Sequence, residues 1–124
     1  MIANIMMGVS EAMIYSHKSG LDIADMIELL SGGAAASFSL SNLAPWMLWW
    51  DFNPGFYAEH FLKDLNIATQ EAKKMDIDLK GTELSLSLYK EHVENGGGWD
   101  GTQGILKTYE HKNHLEIPKS DMKQ

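Results

Sequence analysis

From Phe56 to Met75 the apolar residues Ala58, Phe61, Leu62, Leu65, Ala68, Ala72 and Met75 recur every three or four positions, the spacing that places side chains on one face of an α-helix. A stripe of this kind cannot bury itself, so the remaining chain has to supply further apolar helix faces. It does. Ile2, Ile5, Met6, Val9, Met13 and Ile14 repeat the pattern, and Gly20 stands where a left-handed residue would stop that helix. No Ser, Thr, Asp or Asn precedes its first apolar residue, so the helix reads as one cut into rather than begun. Asp22 offers an N-cap to a short second helix carrying Ile23, Met26, Ile27, Leu29 and Leu30, which Gly32 and Gly33 end.

A third helical segment is expected from about Ser37 to Trp50, kinked or restarted by Pro45, whose missing N–H and bulky ring oppose an uninterrupted helix. Asn53, Pro54 and Gly55 predict a turn. Thr82 is expected to cap a fifth helix reaching about Glu94 and packed through Leu84, Leu88 and Val93. The LSLSL run inside it alternates like a strand, but it is short and framed by helix signals. After the NGGGWDG connection a last helix is predicted from about Thr102 to Lys112, followed by a polar tail with Pro118 that should fray. The fold class is therefore all-α, a bundle of about six helices. The helical domain is expected to occupy residues 1–112 and the tail residues 113–124.

Composition narrows the functions open to such a bundle. With 124 residues the chain is one domain, too short to hold a nucleotide-binding domain and a separate substrate domain. Its net charge is −7, and all 10 basic residues are lysine. Lacking the planar guanidinium that grips phosphates and base edges, an acidic chain is expected to have no nucleic-acid partner. The longest apolar run, PWMLWW, is far short of the roughly 18 residues a membrane span needs. Trp46, Trp49 and Trp50 therefore read as core or subunit contacts, not as a membrane anchor, and no membrane partner is expected. A basic leader with a small-residue cleavage site is missing, which leads to the expectation of a cytoplasmic location. Cysteine is absent, so thiol chemistry and thiolate metal sites are excluded. Glu110, His111 and His114 have metal-compatible spacing but are read as tail residues, and Gly96 to Gly98 with Gly101 as a helix connection, since no strand precedes and no Lys-Ser/Thr follows.

Lys63 and Asp64 stand out: two adjacent charges near the start of the chain's most regular amphipathic helix. Pattern alone reads them as solvated. The order of several short stretches says more. An EAM triplet at Glu11 to Met13 and a K-x-G-L-D ending at Lys18 to Asp22 are followed by SGGAAASFSLSNLAP, then DFNPGF, then KDLNIA. This order resembles the C-terminal helical domain of the β-hydroxyacid dehydrogenases, the group of 3-hydroxyisobutyrate dehydrogenase, tartronate semialdehyde reductase and the glyoxylate and succinic semialdehyde reductases. The match runs from Ile2 to about Lys112, and its most specific piece is Gly55-Phe56 followed by Lys63-Asp64-Leu65.

The resemblance implies a fold like the C-terminal domain of 6-phosphogluconate dehydrogenase-type enzymes. It also implies that an N-terminal Rossmann domain binding NAD or NADP and a K-x-x-N-[NQ] catalytic lysine belong to the family but not to this chain, so no catalytic residue is expected within it. By the same resemblance Lys63 is the cofactor-binding residue, while Phe56 and Asp64 line the substrate cleft. His60, between Phe56 and Lys63, is added as cleft-lining, and Phe56 and Lys63 are expected to share one helix side, about two turns apart. The function implied is one wall of the cofactor and substrate cleft plus a subunit interface of a homo-oligomer. The chain alone is expected to bind no cofactor tightly and to be inactive. The rival reading is a stand-alone helical oligomerisation module without catalysis; an in-frame K-x-x-N-[NQ] upstream of Met1 would separate the two.

Overall fold

The computed structural model of the chain describes residues 1–120. Among these residues there are six α-helices and no sheet: α1 (Ile2–Ser19), α2 (Ile23–Ser31), α3 (Ala44–Leu48), α4 (Ala58–Lys74), α5 (Lys80–Glu94) and α6 (Ile105–Lys112). The all-α expectation holds. Helix α1 has no side-chain cap at its start and ends at Gly20 in the left-handed conformation (φ 74°). There Gly20 N–H donates to His17 O (3.2 Å) and Leu21 N–H to Ser16 O (3.0 Å), the paired bonds that satisfy the last carbonyls of a helix. Asp22 then accepts Asp25 N–H on its side chain (2.9 Å), as expected of an N-cap.

Pro45 acts as a restart. Before it, Ser39–Leu43 forms a π-helical turn in which Ala44 N–H reaches back to Ser39 O, and α3 follows with the proline in its first turn. A proline offers no N–H to the preceding turn and crowds its carbonyl, and the widened turn absorbs that conflict. The core lies where α1, α5 and α6 meet, around Met6, Met13, Tyr89, Ile105 and Leu106, with Met47 and Leu48 of α3 closing one end. Helices α4 and α5 pair along their length. No helix among the described residues is long and apolar enough to cross a membrane.

Several local expectations need correction. Thr82 is not a cap, because α5 begins at Lys80, with Leu79 in the cap position and no side-chain bond there. Leu84 is exposed; Ser85, Leu88, Tyr89 and His92 form the buried face instead. In α4 the stripe passes through Thr69 while Ala68 and Met75 are exposed. Thr69 can be buried because its hydroxyl donates to Leu65 O within the helix (2.8 Å). The tail does not fray over its first part: Ile117 is 0% exposed, its N–H donates to Glu110 Oε1 (2.8 Å), and its carbonyl accepts from Trp50 Nε1 (2.9 Å). Ser120 N–H adds a bond to Leu48 O (3.1 Å). Glu110 thus serves the fold, and its burial pushes its carboxyl above the usual range, opposed by the Ile117 hydrogen bond. The rest of the tail, residues 121–124, lies outside the described residues.

Candidate functional site: an open apolar cavity

A cavity of about 670 Å³ opens beside the N-terminal turns of α1. Ile2 and Ile5 form one side, and Phe38, Leu43 and Trp46, from the π turn and its flanks, form another. Gly55 and Phe56, Phe61 and Asp64 of α4, and Thr102 and Gln103 complete the lining. Asp64 is the single ionisable side chain in this lining. Apolar walls with a few polar groups, and a volume within the roughly 300–1,000 Å³ of small-molecule sites, are what a ligand cleft requires.

Phe56 is held at the rim with its ring 46% exposed. It meets Phe61 edge to face (centroids 6.0 Å apart, 84°), and Phe61 in turn meets Tyr89 (4.9 Å, 76°). This run of rings fixes a surface residue to the core. Tyr89 is completely buried and its hydroxyl donates to Thr102 O (2.9 Å). Burial drives its phenol far above the usual range, so it stays a neutral donor.

The chain that carries Phe56 is stitched to residues 100–103. Gly101 N–H donates to Phe52 O (2.8 Å), Thr102 N–H to Phe56 O (3.1 Å) and Ala58 N–H to Asp100 O (2.8 Å). The predicted turn at Asn53 to Gly55 is therefore an open bend held from outside. Beneath it, Asp100 Oδ2 lies 2.8 Å from Lys107 Nζ and 3.1 Å from His92 Nε2, and Lys107 Nζ stands 4.4 Å from the centroid of the Phe52 ring. His92 is only 3% exposed, and burial holds its imidazole below its ordinary pKa, opposed by the Asp100 carboxylate. A Cβ on Gly97 or Gly104 would overlap the His92 ring. These glycines permit a close approach; Gly97 was expected only as part of a helix connection, and Gly104 lay within the predicted last helix.

Of the expected site residues, the fold brings Phe56 and Asp64 to one cavity. His60 and Lys63 are exposed and outside its lining. The His60 ring sits against Phe56 (6.4 Å) and Tyr57 (5.4 Å) on the outer side of the rim. Lys63 forms no ion pair among the described residues and neighbours Asp64 on α4. Phe56 precedes α4, which starts at Ala58, so it does not share a helix face with Lys63 as the spacing suggested. Thr102, Gln103 and the α1 residues Ile2 and Ile5 were not anticipated. The one available signal was a polar amide enclosed by glycines in the stretch DGTQG.

This arrangement of helices is found in known proteins. It superposes on a 3-hydroxyisobutyrate dehydrogenase of Salmonella typhimurium with a TM-score of 0.79 at 20% identity, over 86% of this chain and 38% of that one. A 3-hydroxyisobutyrate dehydrogenase of Mycobacterium tuberculosis, solved with L-serine, gives 0.80 at 16% identity, over 87% and 39%. Those likenesses show a helical fold shared with part of these two proteins. Sequence defines the family: residues 1–109 match the family described as the NAD-binding domain of NADP-dependent 3-hydroxyisobutyrate dehydrogenase, and the chain belongs to it.

An uncharacterised oxidoreductase of Bacillus subtilis, YkwC, is 47% identical over 108 residues, covering 87% of this chain and 38% of that protein. The probable 3-hydroxyisobutyrate dehydrogenase-like 1, mitochondrial, of Arabidopsis thaliana is 41% identical over 120 residues, 97% of this chain and 36% of its own length. The 2-hydroxy-3-oxopropionate reductase of Escherichia coli is 37% identical over 89 residues, 72% and 30%. The chain thus spans 38%, 36% and 30% of the length of these three relatives.

Proposed function

We propose that this domain is the helical wall of an NAD(P)-dependent dehydrogenase cleft acting on a small hydroxy acid of the 3-hydroxyisobutyrate kind. The observation that carries the reading is the open cavity, in which Phe56 and Asp64 meet although they stand apart in sequence. A flat heterocycle such as nicotinamide suits its aromatic walls, and the cavity volume admits that end of a dinucleotide together with a small acid. Nothing in the lining suits a diphosphate, since it holds no cation, so the remainder of the cofactor belongs to a nucleotide-binding half outside this chain. When bound, the nicotinamide supplies a hydride acceptor or donor. The residues of this chain do the rest: Phe56 and Phe61 limit the access of water, Asp64, exposed on the cavity lining, accepts a hydrogen bond, and Lys63, outside the lining, reaches oxygens of the cofactor as a three-proton donor.

The test is a fusion of this chain to the part of the Bacillus subtilis relative that it does not match. The fusion should turn over a hydroxy acid with NAD or NADP while the 124-residue chain alone does not. In the fusion Lys63→Ala should weaken cofactor binding by about 1.5–3 kcal/mol, the worth of a charge-assisted hydrogen bond. Lys73→Ala, at an exposed position further along α4, is the control. Equal kinetics for the two variants would return Lys63 to the solvated surface.

A further inference from the structure

We infer that Gln103 is a positioning residue of this cleft: its side-chain amide fixes the loop that carries Phe56 and so sets the width of the cavity mouth. The inference rests on the dehydrogenase reading above, but its structural half stands by itself. Gln103 is 1% exposed and lines the cavity. Its Nε2 donates to two backbone carbonyls of the loop that leads to Phe56, Asp51 O (3.2 Å) and Asn53 O (2.9 Å). Both acceptors are carbonyls, so only the NH₂ end of the amide can face them, and both of its protons are used.

No other cavity-lining side chain hydrogen-bonds this loop; the remaining ties are backbone hydrogen bonds, the bond from Asn53 N–H to Asp51 Oδ1 (3.0 Å) within the loop, the edge contacts of Phe56 with His60 and Phe61, and the Lys107 contact to Phe52. The backbone acceptors in the loop would otherwise be open to water, and an extended loop with free carbonyls is free to swing. Gly101 leaves room for the clamp, because a Cβ there would overlap Gln103 Oε1. The loop ends at Phe56, whose carbonyl is held by Thr102, the residue before Gln103. Moving Asp51 and Asn53 therefore moves the ring that forms the rim.

Two variants of nearly the same size test this. Gln103→Met removes both donors, and Gln103→Glu replaces them with a carboxylate facing two carbonyls. In the 124-residue chain, amide hydrogen exchange at Ala58, Gly101 and Thr102 should become about tenfold faster or more, while the amide of Met13 in α1 is unchanged. In the fusion, KM for the hydroxy acid should rise about fivefold or more at an unchanged active-site concentration, with a smaller effect on kcat. A purely structural residue would lower the folded fraction and leave KM where it was. Unchanged exchange at the three amides overturns the clamp; faster exchange with wild-type KM and kcat overturns the positioning role. Loss of the folded state in both variants also overturns it, since that is the behaviour of a simple core residue. A wild-type fusion without activity would instead sink the dehydrogenase reading, and exchange alone would then decide the clamp.

Discussion

Helix α1 runs along two apolar surfaces. Around Met6 and Met13 it is closed over by α5 and α6, and these side chains are fully buried together with Ile105 and Leu106. One residue away from Met6, Ile5 faces the open cavity with Ile2, opposite Phe38 and Phe56. The helical period and the residue types are the same on both surfaces. What differs is whether the chain supplies the complement. Hydrophobic patterning reports that a residue belongs to an apolar face, not what covers that face.

That comparison is broken or sharpened most directly by truncating one side chain on each surface. Leu106→Ala in the closed core should cost about 3 kcal/mol, through lost transfer energy and the cavity left behind. Phe38→Ala, at a side chain 74% exposed on the cavity wall, should stay within about 0.5 kcal/mol. Urea unfolding of both variants decides, and equal losses would make the cavity an ordinary loose patch of core.

A smaller effect is expected at the seam between the surfaces. Tyr89→Phe keeps the ring on Phe61 but leaves the buried Thr102 carbonyl without its hydroxyl donor, at a cost of about 1–2 kcal/mol. An unaltered urea midpoint would show that Ile105 N–H, which also reaches the Thr102 carbonyl, satisfies it without the hydroxyl.

The smallest effect is one of pH. Burial holds the His92 imidazole below its ordinary value of 6.5 in the folded chain, against the opposing pull of Asp100. The unfolded chain therefore takes up the proton first as pH falls. The contribution of His92 is fully present above the unfolded value of 6.5, declines below it, and levels off once the folded value is passed. Glu110, raised by burial, works in the opposite sense in acid, so the reading is a difference. Between about pH 7.5 and pH 5.5 the urea midpoint of the wild type should fall more than that of His92→Gln. Parallel slopes would show that His92 contributes nothing.

Much of the fold was legible because its signals are local. Gly20 ends α1 and Asp22 opens α2 through bonds spanning five residues or fewer, and the spacing of apolar residues needs only one turn of context. Thr69 and Ala68 were exchanged because periodicity weighs polarity and cannot see that a threonine hydroxyl is satisfied by its own helix. The tail misled for a related reason: Leu115 and Ile117 are isolated apolar residues in a polar stretch, and the groups that hold it, Trp50 on the Ile117 carbonyl and the Leu48 carbonyl on Ser120 N–H, lie far back in the chain. The site was legible only in part. Phe56 and Asp64 came from a family resemblance and share the cavity. Gln103 was silent because the carbonyls it serves are 50 and 52 residues away, and a buried glutamine looks like any other until its partners are in place.

The π turn at Ser39–Leu43 has a meaning for how such a cleft is remodelled over generations. A π turn is an α turn carrying one residue too many. The widened turn takes up that residue within itself, so deleting one there would regularise the helix while leaving the segments on either side close to their present phase, and only the side chains of the turn would change places. One codon can thus be gained or lost here as a single step confined to the wall that Ser39 and Leu43 contribute, while the helices around it keep their places.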